Sequence, residues 1–529
     1  MSFSLVKSHL DIGLLKDSNK GSGYFKMEKG KVVLVGAGPG ELELITLRGL
    51  EYLKQADCVV YDRLLNPAML DFTKDQCEKI FVGKANHHHT MVQDDINQLL
   101  YDKASEGKLV VRLKGGDPYV FGRGGEEALF LRERQVDVEL VPGISSAIAA
   151  LAAAGIPITH RGLSRGFQVI TAHSRKDEPA DINYSLLVDE DITLLFLMGL
   201  SHVSEIARGL ISAGRDAHSP VAVVSSGTTN HQKKVIGTLA NIAELVEENH
   251  LESPAIIIVG KVVTLADRLS MFEERPLFGK KYFLPTIRNF NYSYDTGIVE
   301  SNENALEKTL TDYGAEVIRF ETGRIMHRKI NLDFLHDMKS GDYLVFTSKN
   351  GVKSFFWNLR EEGLDLRSLC NVKIAAIGAG TADGLLRFGV TADLVPLKQN
   401  GAELAALLSN DATGEANVYW LSTTDSSQGF EEGLSDNLHL NKIVCYENIS
   451  SNNTISPETL KEILDCDGAI FTSGSNAKMA LKATGGRLPE TIYSIGPACS
   501  KAIKSLGFEK VREAEISSYQ GILEMILGQ

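Results

Sequence analysis

The sequence has no Cys-x-x-Cys pair, no excess of positive charge and no unbroken apolar run of membrane length. Its six cysteines, at 58, 77, 370, 445, 466 and 499, are scattered without metal-ligand spacing. No metal site is expected, and most of these thiols should be small buried side chains in a reducing compartment. The formal net charge of −13 argues against a nucleic-acid partner, because phosphate contacts need a basic face. A local basic pocket for a small anionic ligand remains compatible with it. The longest uncharged stretch, Leu140 to Thr159, is interrupted by Pro142, Gly143, Gly155 and Pro157. It reads as a buried helix rather than a membrane span. The first residues lack the basic start and apolar centre of a signal peptide, so a cytoplasmic protein is expected.

What the chain does contain is α/β alternation over 529 residues, long enough for roughly two to four domains. KVVLVGAGPG, from Lys31, reads as a buried strand running into a glycine turn, and LITLRGLEYLKQA as the following helix. DCVVYD, LVVRLKGGDP and VDVELVPG continue the strands, with the helix GGEEALFLRERQ between the last two. FQVITAHS, TLLFLMG, VAVVSSGT and AIIIVG extend the pattern until DRLSMFEERPLFG breaks it, which predicts a linker near 267–279. The region beyond repeats itself. DYLVFTSKNGVKSFF matches DGAIFTSGSNAKMAL, and KIAAIGAGTADGLLRFG matches TIYSIGPACSKAIKSLG, so two similar α/β lobes are expected. AEVIRFETG and NKIVCYENI are strand-like and placed to connect those lobes.

The loop VGAGPG by itself is ambiguous. Its glycines allow a ligand close to the backbone. The spacing departs from the dinucleotide pattern G-x-G-x-x-G, and Pro39 removes an amide that might hold a phosphate. RLKGGDPYVFGRGGEE is far more specific. Together with VGAGPG and LITL, VVYDRLL, HHTMVQDDINQLL and AGIPITHRG, it resembles the tetrapyrrole methylases, and most of all uroporphyrinogen III C-methyltransferase. The resemblance spans 31 to about 272. It implies a two-lobed α/β fold, a homodimer, and S-adenosylmethionine as methyl donor. Carried over by position, the cofactor contacts are Pro39, Gly115, Gly116, Asp117, Val120, Ser145, Ser146, Met198 and Gly227. Asp62 and Lys84 match the family's acid/base residues. Arg63, Lys84, Arg112, Lys114, Arg123 and Arg161 are expected to meet the carboxylates of the substrate. The pattern departs from the family at Ala85, Glu41 and Leu42, while the run His87–His89 resembles the family's paired histidines.

Residues from about 279 onward resemble uroporphyrinogen III synthase through the order FTSKNGV, IAAIGAGTA, a tyrosine-bearing strand, FTSGS and IGPACSKAIKSLG. The resemblance implies two lobes with parallel sheets, a two-stranded connection, and ring closure of hydroxymethylbilane with no redox cofactor. Thr347, Ser348, Thr381, Thr472 and Ser473 are candidate substrate contacts or helix caps. Tyr446 is the candidate proton donor. The Thr-Arg pair of the family is split here as Thr286 and Arg288, and Cys499 replaces a threonine. The expected organisation is an extension at 1–28, a methyltransferase domain at 29–272 and a synthase domain at 273–529. The expected function is the making of uroporphyrinogen III and its methylation at positions 2 and 7 to precorrin-2, a precursor of sirohaem and cobalamin. The alternative is an active methyltransferase carrying a degenerate tetrapyrrole-binding module.

Overall fold

A computed structural model of the chain describes residues 30–528 except 75, 84–90, 173–180, 294–296, 302–304, 371, 425, 427–428 and 452–454. The extension expected at 1–28, Lys84, Ala85 and the run His87–His89 lie outside the described residues. The chain divides into two compact units, 1–150 and 151–529.

In the first unit, five parallel strands form one sheet in the order β3-β2-β4-β1-β5. They are β1 (Lys31–Gly36), β2 (Cys58–Tyr61), β3 (Glu78–Phe81), β4 (Leu109–Lys114) and β5 (Asp137–Val141). Strand β1 shows why this sequence makes a central parallel strand. Val32 and Leu34 enter the apolar cluster on one face, and Val33 and Val35 the cluster on the other. A strand buried on both faces needs a continuous β-branched and aliphatic run. The uncharged stretch at 140–159 contains the short helix Ser146–Ala153, as its composition suggests.

The second unit begins with a mixed sheet in the order β6-β7-β10-β8-β9. Its strands are β6 (Gly166–Thr171), β7 (Ile192–Leu197), β8 (Pro220–Ser225), β9 (Lys233–Thr238) and β10 (Ala255–Val259). Because β10 runs antiparallel to both β7 and β8, those two strands point the same way and end at one edge of the sheet.

The rest of the second unit is built on one ten-stranded sheet. It contains β11 (Lys281–Ser293), β12 (Gly297–Ser301), β13 (Glu316–His327), β14 (Tyr343–Phe346), β15 (Lys373–Ala376), β16 (Ala416–Thr423), β17 (Leu438–Ser450), β18 (Gly468–Phe471), β19 (Ile492–Ser494) and β20 (Val511–Glu513). Strands β15-β14-β16-β17 are parallel within one lobe, and β13-β11-β18-β19-β20 within the other. The lobes join where β13 and β17 pair antiparallel, Gly323–His327 against Ser450–Tyr446. Both strands lie where the sequence placed the connection. They are long because each serves its own lobe first and the junction second. The internal repeat is also structural. Ser348 and Ser473 precede equivalent helices with the same backbone angles, φ −161° and ψ 154°. Each hydroxyl accepts the amide three residues on, Gly351 at 3.0 Å and Asn476 at 3.2 Å. Such a cap is worth about 1 kcal/mol.

A polar clasp ties the loop after β8 to the start of the ten-stranded sheet. The Asn230 side-chain amide donates to the Lys280 carbonyl at 2.8 Å and its oxygen accepts from the Gly279 amide at 2.5 Å. His231 Nε2 lies 2.9 Å from Glu316, and Lys281 pairs with Glu316 at 3.2 Å and Glu462 at 3.0 Å. The Glu316 carboxylate raises the His231 pKa, against the opposing effect of burial. A raised folded pKa places the full contribution below the unfolded value of about 6.5 and removes it as pH rises through the folded value. Between about pH 6 and about pH 8, protease cleavage in 267–280 is therefore expected to increase with pH, and His231→Gln to flatten that dependence. Equal pH dependence in both proteins would contradict the role given to His231.

Candidate active sites

The C-terminal edge of the first sheet is where ligand-facing loops of a parallel sheet emerge. Three of its loops touch backbone to backbone. The Ala37 amide donates to the Lys114 carbonyl at 2.8 Å, and Gly38 and Gly116 exchange hydrogen bonds of 3.2 and 2.8 Å. A Cβ on Gly143 would sit 2.2 Å from the Gly116 carbonyl oxygen, and one on Gly36 would sit 2.5 Å from the Gly143 Cα. Only glycine allows this approach. Asp117 locks it. Its carboxylate accepts the Tyr119 amide at 2.7 Å and the Gly143 amide at 3.0 Å. The carboxylate thus bonds to one backbone amide through each oxygen and shapes the loop.

Pro39, Gly115, Gly116, Asp117, Val120, Ser145 and Ser146 all lie in these loops. Gly116 faces the start of the helix Ser146–Ala153, with the Ser146 amide 3.7 Å from where its Cβ would be. Ser145 Oγ caps that helix by accepting the Ala147 amide. Val120 is partly exposed as an apolar surface. Bare backbone, two serines and an exposed valine suit a nucleoside-like cofactor with both apolar and polar parts, so the donor set fits S-adenosylmethionine. Met198 and Gly227 belong to the second unit. They follow β7 and β8 at the same sheet edge. Met198 (φ 57°), Ser226 (φ 50°) and Thr228 (φ 66°) all hold left-handed backbone, and Met198 is half exposed. Strained backbone of this kind marks sites where a loop serves a ligand.

Asp62 follows β2 on the same edge of the first sheet. One carboxylate oxygen accepts the Leu64 amide at 3.1 Å, and Arg112 approaches the other at 3.5 Å. Arg112 and Lys114 depart from expectation. Both are buried and committed to Glu127, at 3.2 and 3.1 Å. Arg112 also donates to the Val60 and Leu113 carbonyls. Burial and the Arg112 charge pull the Lys114 pKa below its usual value. These cations form an internal cluster and do not present their charge to a bulky anion. Arg63 and Arg161 are exposed, in separate units. Arg123 is exposed but bonded to Glu126 through two nitrogens, at 3.0 and 2.8 Å. Sequence reasoning missed Glu127. The signal was its helical face, shared with the buried Gly124, Ala128 and Leu131, where an acid needs a partner.

In the ten-stranded sheet, Tyr446 sits at the handover between lobes, opposite both Thr423 of β16 and His327 of β13. It is 6% exposed, and burial raises its pKa. Its hydroxyl lies 2.9 Å from Ser348 Oγ, so the cap and the candidate donor are one unit. Thr347 Oγ1 accepts from the Trp420 indole at 2.8 Å. Thr347, Trp420, Thr423 and Tyr446 line a cavity of about 140 Å³. Thr381 departs from expectation: it is buried within the first turn of its helix, Ala379–Leu386, and does not present its hydroxyl to a substrate. Thr472 and Ser473 belong to the other lobe, so they do not join the Tyr446 cavity. Cys499 is a buried core thiol near the Phe471 carbonyl, 3.6 Å away. Thr286 and Arg288 turn to neighbouring β13, to the Phe320 carbonyl and the Glu321 carboxylate.

Residues 31–243 match the family of tetrapyrrole (corrin/porphyrin) methylases, and residues 304–524 match uroporphyrinogen-III synthase HemD. The porphyrin biosynthesis protein HemD of Ruminiclostridium josui is 41% identical over 382 residues, 72% of this chain and 73% of that protein. The uroporphyrinogen-III C-methyltransferase of Bacillus subtilis is 40% identical over 345 residues, covering 65% of this chain and 68% of that protein. A solved uroporphyrin III C-methyl transferase from Thermus thermophilus is 41% identical, over 44% of this chain and 99% of that one, with a TM-score of 0.39. The chain belongs to the tetrapyrrole methylases and carries a uroporphyrinogen-III synthase domain after the methylase domain.

Removing the Asp117 carboxylate frees two loop amides, and hydrogen bonds to a charged group are worth about 1.5–3 kcal/mol each. Asp117→Ala is expected to weaken S-adenosylmethionine binding at least about tenfold while leaving synthase turnover unchanged. Calorimetric binding beside a cyclisation assay on the same protein checks this. Unchanged cofactor affinity would remove Asp117 from the site.

Proposed function

We propose that residues 273–529 close hydroxymethylbilane to uroporphyrinogen III and that residues 29–272 methylate this product at positions 2 and 7, giving precorrin-2. The observation that carries this reading is the presence, in one chain, of both family matches over closely packed glycine loops and a cavity lined by the buried Tyr446. The domain boundary is supported by β10 ending at Val259 and β11 beginning at Lys281.

S-adenosylmethionine supplies the methyl group. The chain's part is placement, since an electron-rich pyrrole carbon already provides the nucleophile. The loops at Gly36–Gly38, Gly115–Asp117 and Gly143–Ser146 hold the cofactor with backbone. Attack makes the methylated carbon quaternary and the ring cationic, so the macrocycle must lose a proton from a neighbouring methylene bridge, and Asp62, beside those loops, is the base that takes it. Lys84, Arg63, Arg123 and Arg161 serve the substrate's carboxylates. In the synthase half, Tyr446 donates its proton to the departing hydroxyl. Thr347 and Ser348 meet the carboxylates from one lobe, with Thr472 and Ser473 from the other. Fusion of the halves raises the local concentration of the first product at the second site. The protein acts in the cytoplasm as a homodimer through its methyltransferase domain, with small-molecule partners only. Among the described residues, no helix is long and apolar enough to cross a membrane.

Two variants separate the activities. Asp62→Asn is expected to lower methylation about a hundredfold while cyclisation persists. Tyr446→Phe is expected to lower cyclisation about tenfold or more while supplied uroporphyrinogen III is still methylated. Parallel product analysis by absorbance and mass checks both; full retention of either activity in its own variant would overturn that residue's assignment.

A further inference from the structure

Glu127 is a fully buried acid that the methylation chemistry above does not use. It stands on the helix Gly124–Glu133, which covers the sheet, and one of its oxygens gathers three donors. These are Arg112 Nε at 3.2 Å, Lys114 Nζ at 3.1 Å and Gln93 Nε2 at 3.2 Å. Its other oxygen is buried without a hydrogen-bond partner. Lodging a carboxylate this deep, with half its acceptor capacity unused, is costly. A core that needed only packing would be better served by an apolar residue.

The two cations account for its place. Arg112 and Lys114 alternate along β4 and point to the same face of the sheet. Arg112 reaches Asp62 with its far nitrogen, 3.5 Å from the carboxylate. Asp62 is itself a quarter exposed, at the open edge of the cluster. The chain of contacts is therefore continuous from Glu127, through Arg112, to the proposed base. Glu127 lies closer to both cations than Asp62 does to Arg112. Without it, two buried positive charges would have Asp62 as the acid next to them. They would draw it inward and occupy the lone pairs that must receive the substrate proton.

We propose that Glu127 is a positioning residue for methylation, neutralising Arg112 and Lys114 and fixing the Arg112 guanidinium so that Asp62 stays oriented with a lone pair open to the substrate. The inference rests on the reading of Asp62 as base. In the step concerned, the attacked pyrrole carbon, which carries no hydrogen, becomes quaternary as the methyl–sulfur bond breaks; a C–H bond of the neighbouring methylene bridge then breaks, its electrons form a C=C bond that neutralises the cationic ring, and the proton forms an O–H bond on Asp62. Glu127 does not touch the substrate and transfers no proton.

The test is a double-mutant cycle in the full chain, with uroporphyrinogen III supplied and single-turnover methylation measured. Glu127→Gln keeps the shape and removes the charge. It is expected to lower the methylation rate about tenfold, a fraction of what a general base contributes, with S-adenosylmethionine affinity unchanged. In an Asp62→Asn background the same substitution is expected to cost nothing further, because its effect passes through Asp62. A merely structural role would lower the rate by the same factor in both backgrounds, and that result overturns the proposal. An unchanged rate in Glu127→Gln alone also overturns it. If Asp62→Asn alone retains the wild-type rate, the base assignment fails, which is a distinguishable outcome. Should Glu127→Gln not fold, Glu127→Asp keeps the charge but withdraws it from Arg112. In that cycle a loss confined to the Asp62 background supports the proposal, and an equal loss in both backgrounds, or none, overturns it.

Discussion

The contact on which the methylase site depends is one between backbones. Gly36, Gly116 and Gly143 meet at the end of the first sheet with no room for a side chain. That meeting requires parallel neighbouring strands, since only then do β1, β4 and β5 release their loops at one edge. It also requires a clamp, because glycine loops are entropically costly to order. Asp117 is that clamp, and it commits its charge to the amides of Tyr119 and Gly143. A cofactor presented to such a surface meets amides and carbonyls already held in place, and this preorganisation is what methyl transfer needs.

The synthase half solves a similar problem by duplication. Two copies of a strand, a capping serine and a helix stand in separate lobes, Ser348 in one and Ser473 in the other. The lobes are coupled through β13 and β17, each of which leaves its parallel lobe to pair antiparallel with the other. Tyr446 is placed at that handover, with its hydroxyl on the capping Ser348. The helix start and the buried phenol thus lie side by side. Burial raises the Tyr446 pKa, so the phenol keeps its proton at neutral pH.

Much of this was legible in the residues. The apolar runs of β1 and β4, the glycine loops behind them, the repeat and the two connecting strands all follow from patterns local in sequence, because strand burial and helix capping are local. Less legible was what a charge does once folded. Arg112 and Lys114 have the composition of a substrate-binding pair, yet their partner Glu127 lies on the helix beyond the glycine loop and becomes visible only when that helix covers the sheet. The partners of Asp117 are likewise distant in sequence, since only the fold brings Gly143 to its second oxygen. Cys499 departs from the family pattern but fills a packed position, as a small thiol can.

Whether both halves work as enzymes in one chain is tested most directly by giving the purified protein hydroxymethylbilane and S-adenosylmethionine, with no other synthase present, and following precorrin-2 by absorbance and mass. The expected result is precorrin-2, with uroporphyrinogen III as its transient precursor. Methylation that appears only when uroporphyrinogen III is supplied would refute the two-enzyme reading, and would leave the C-terminal half as a tetrapyrrole-binding module.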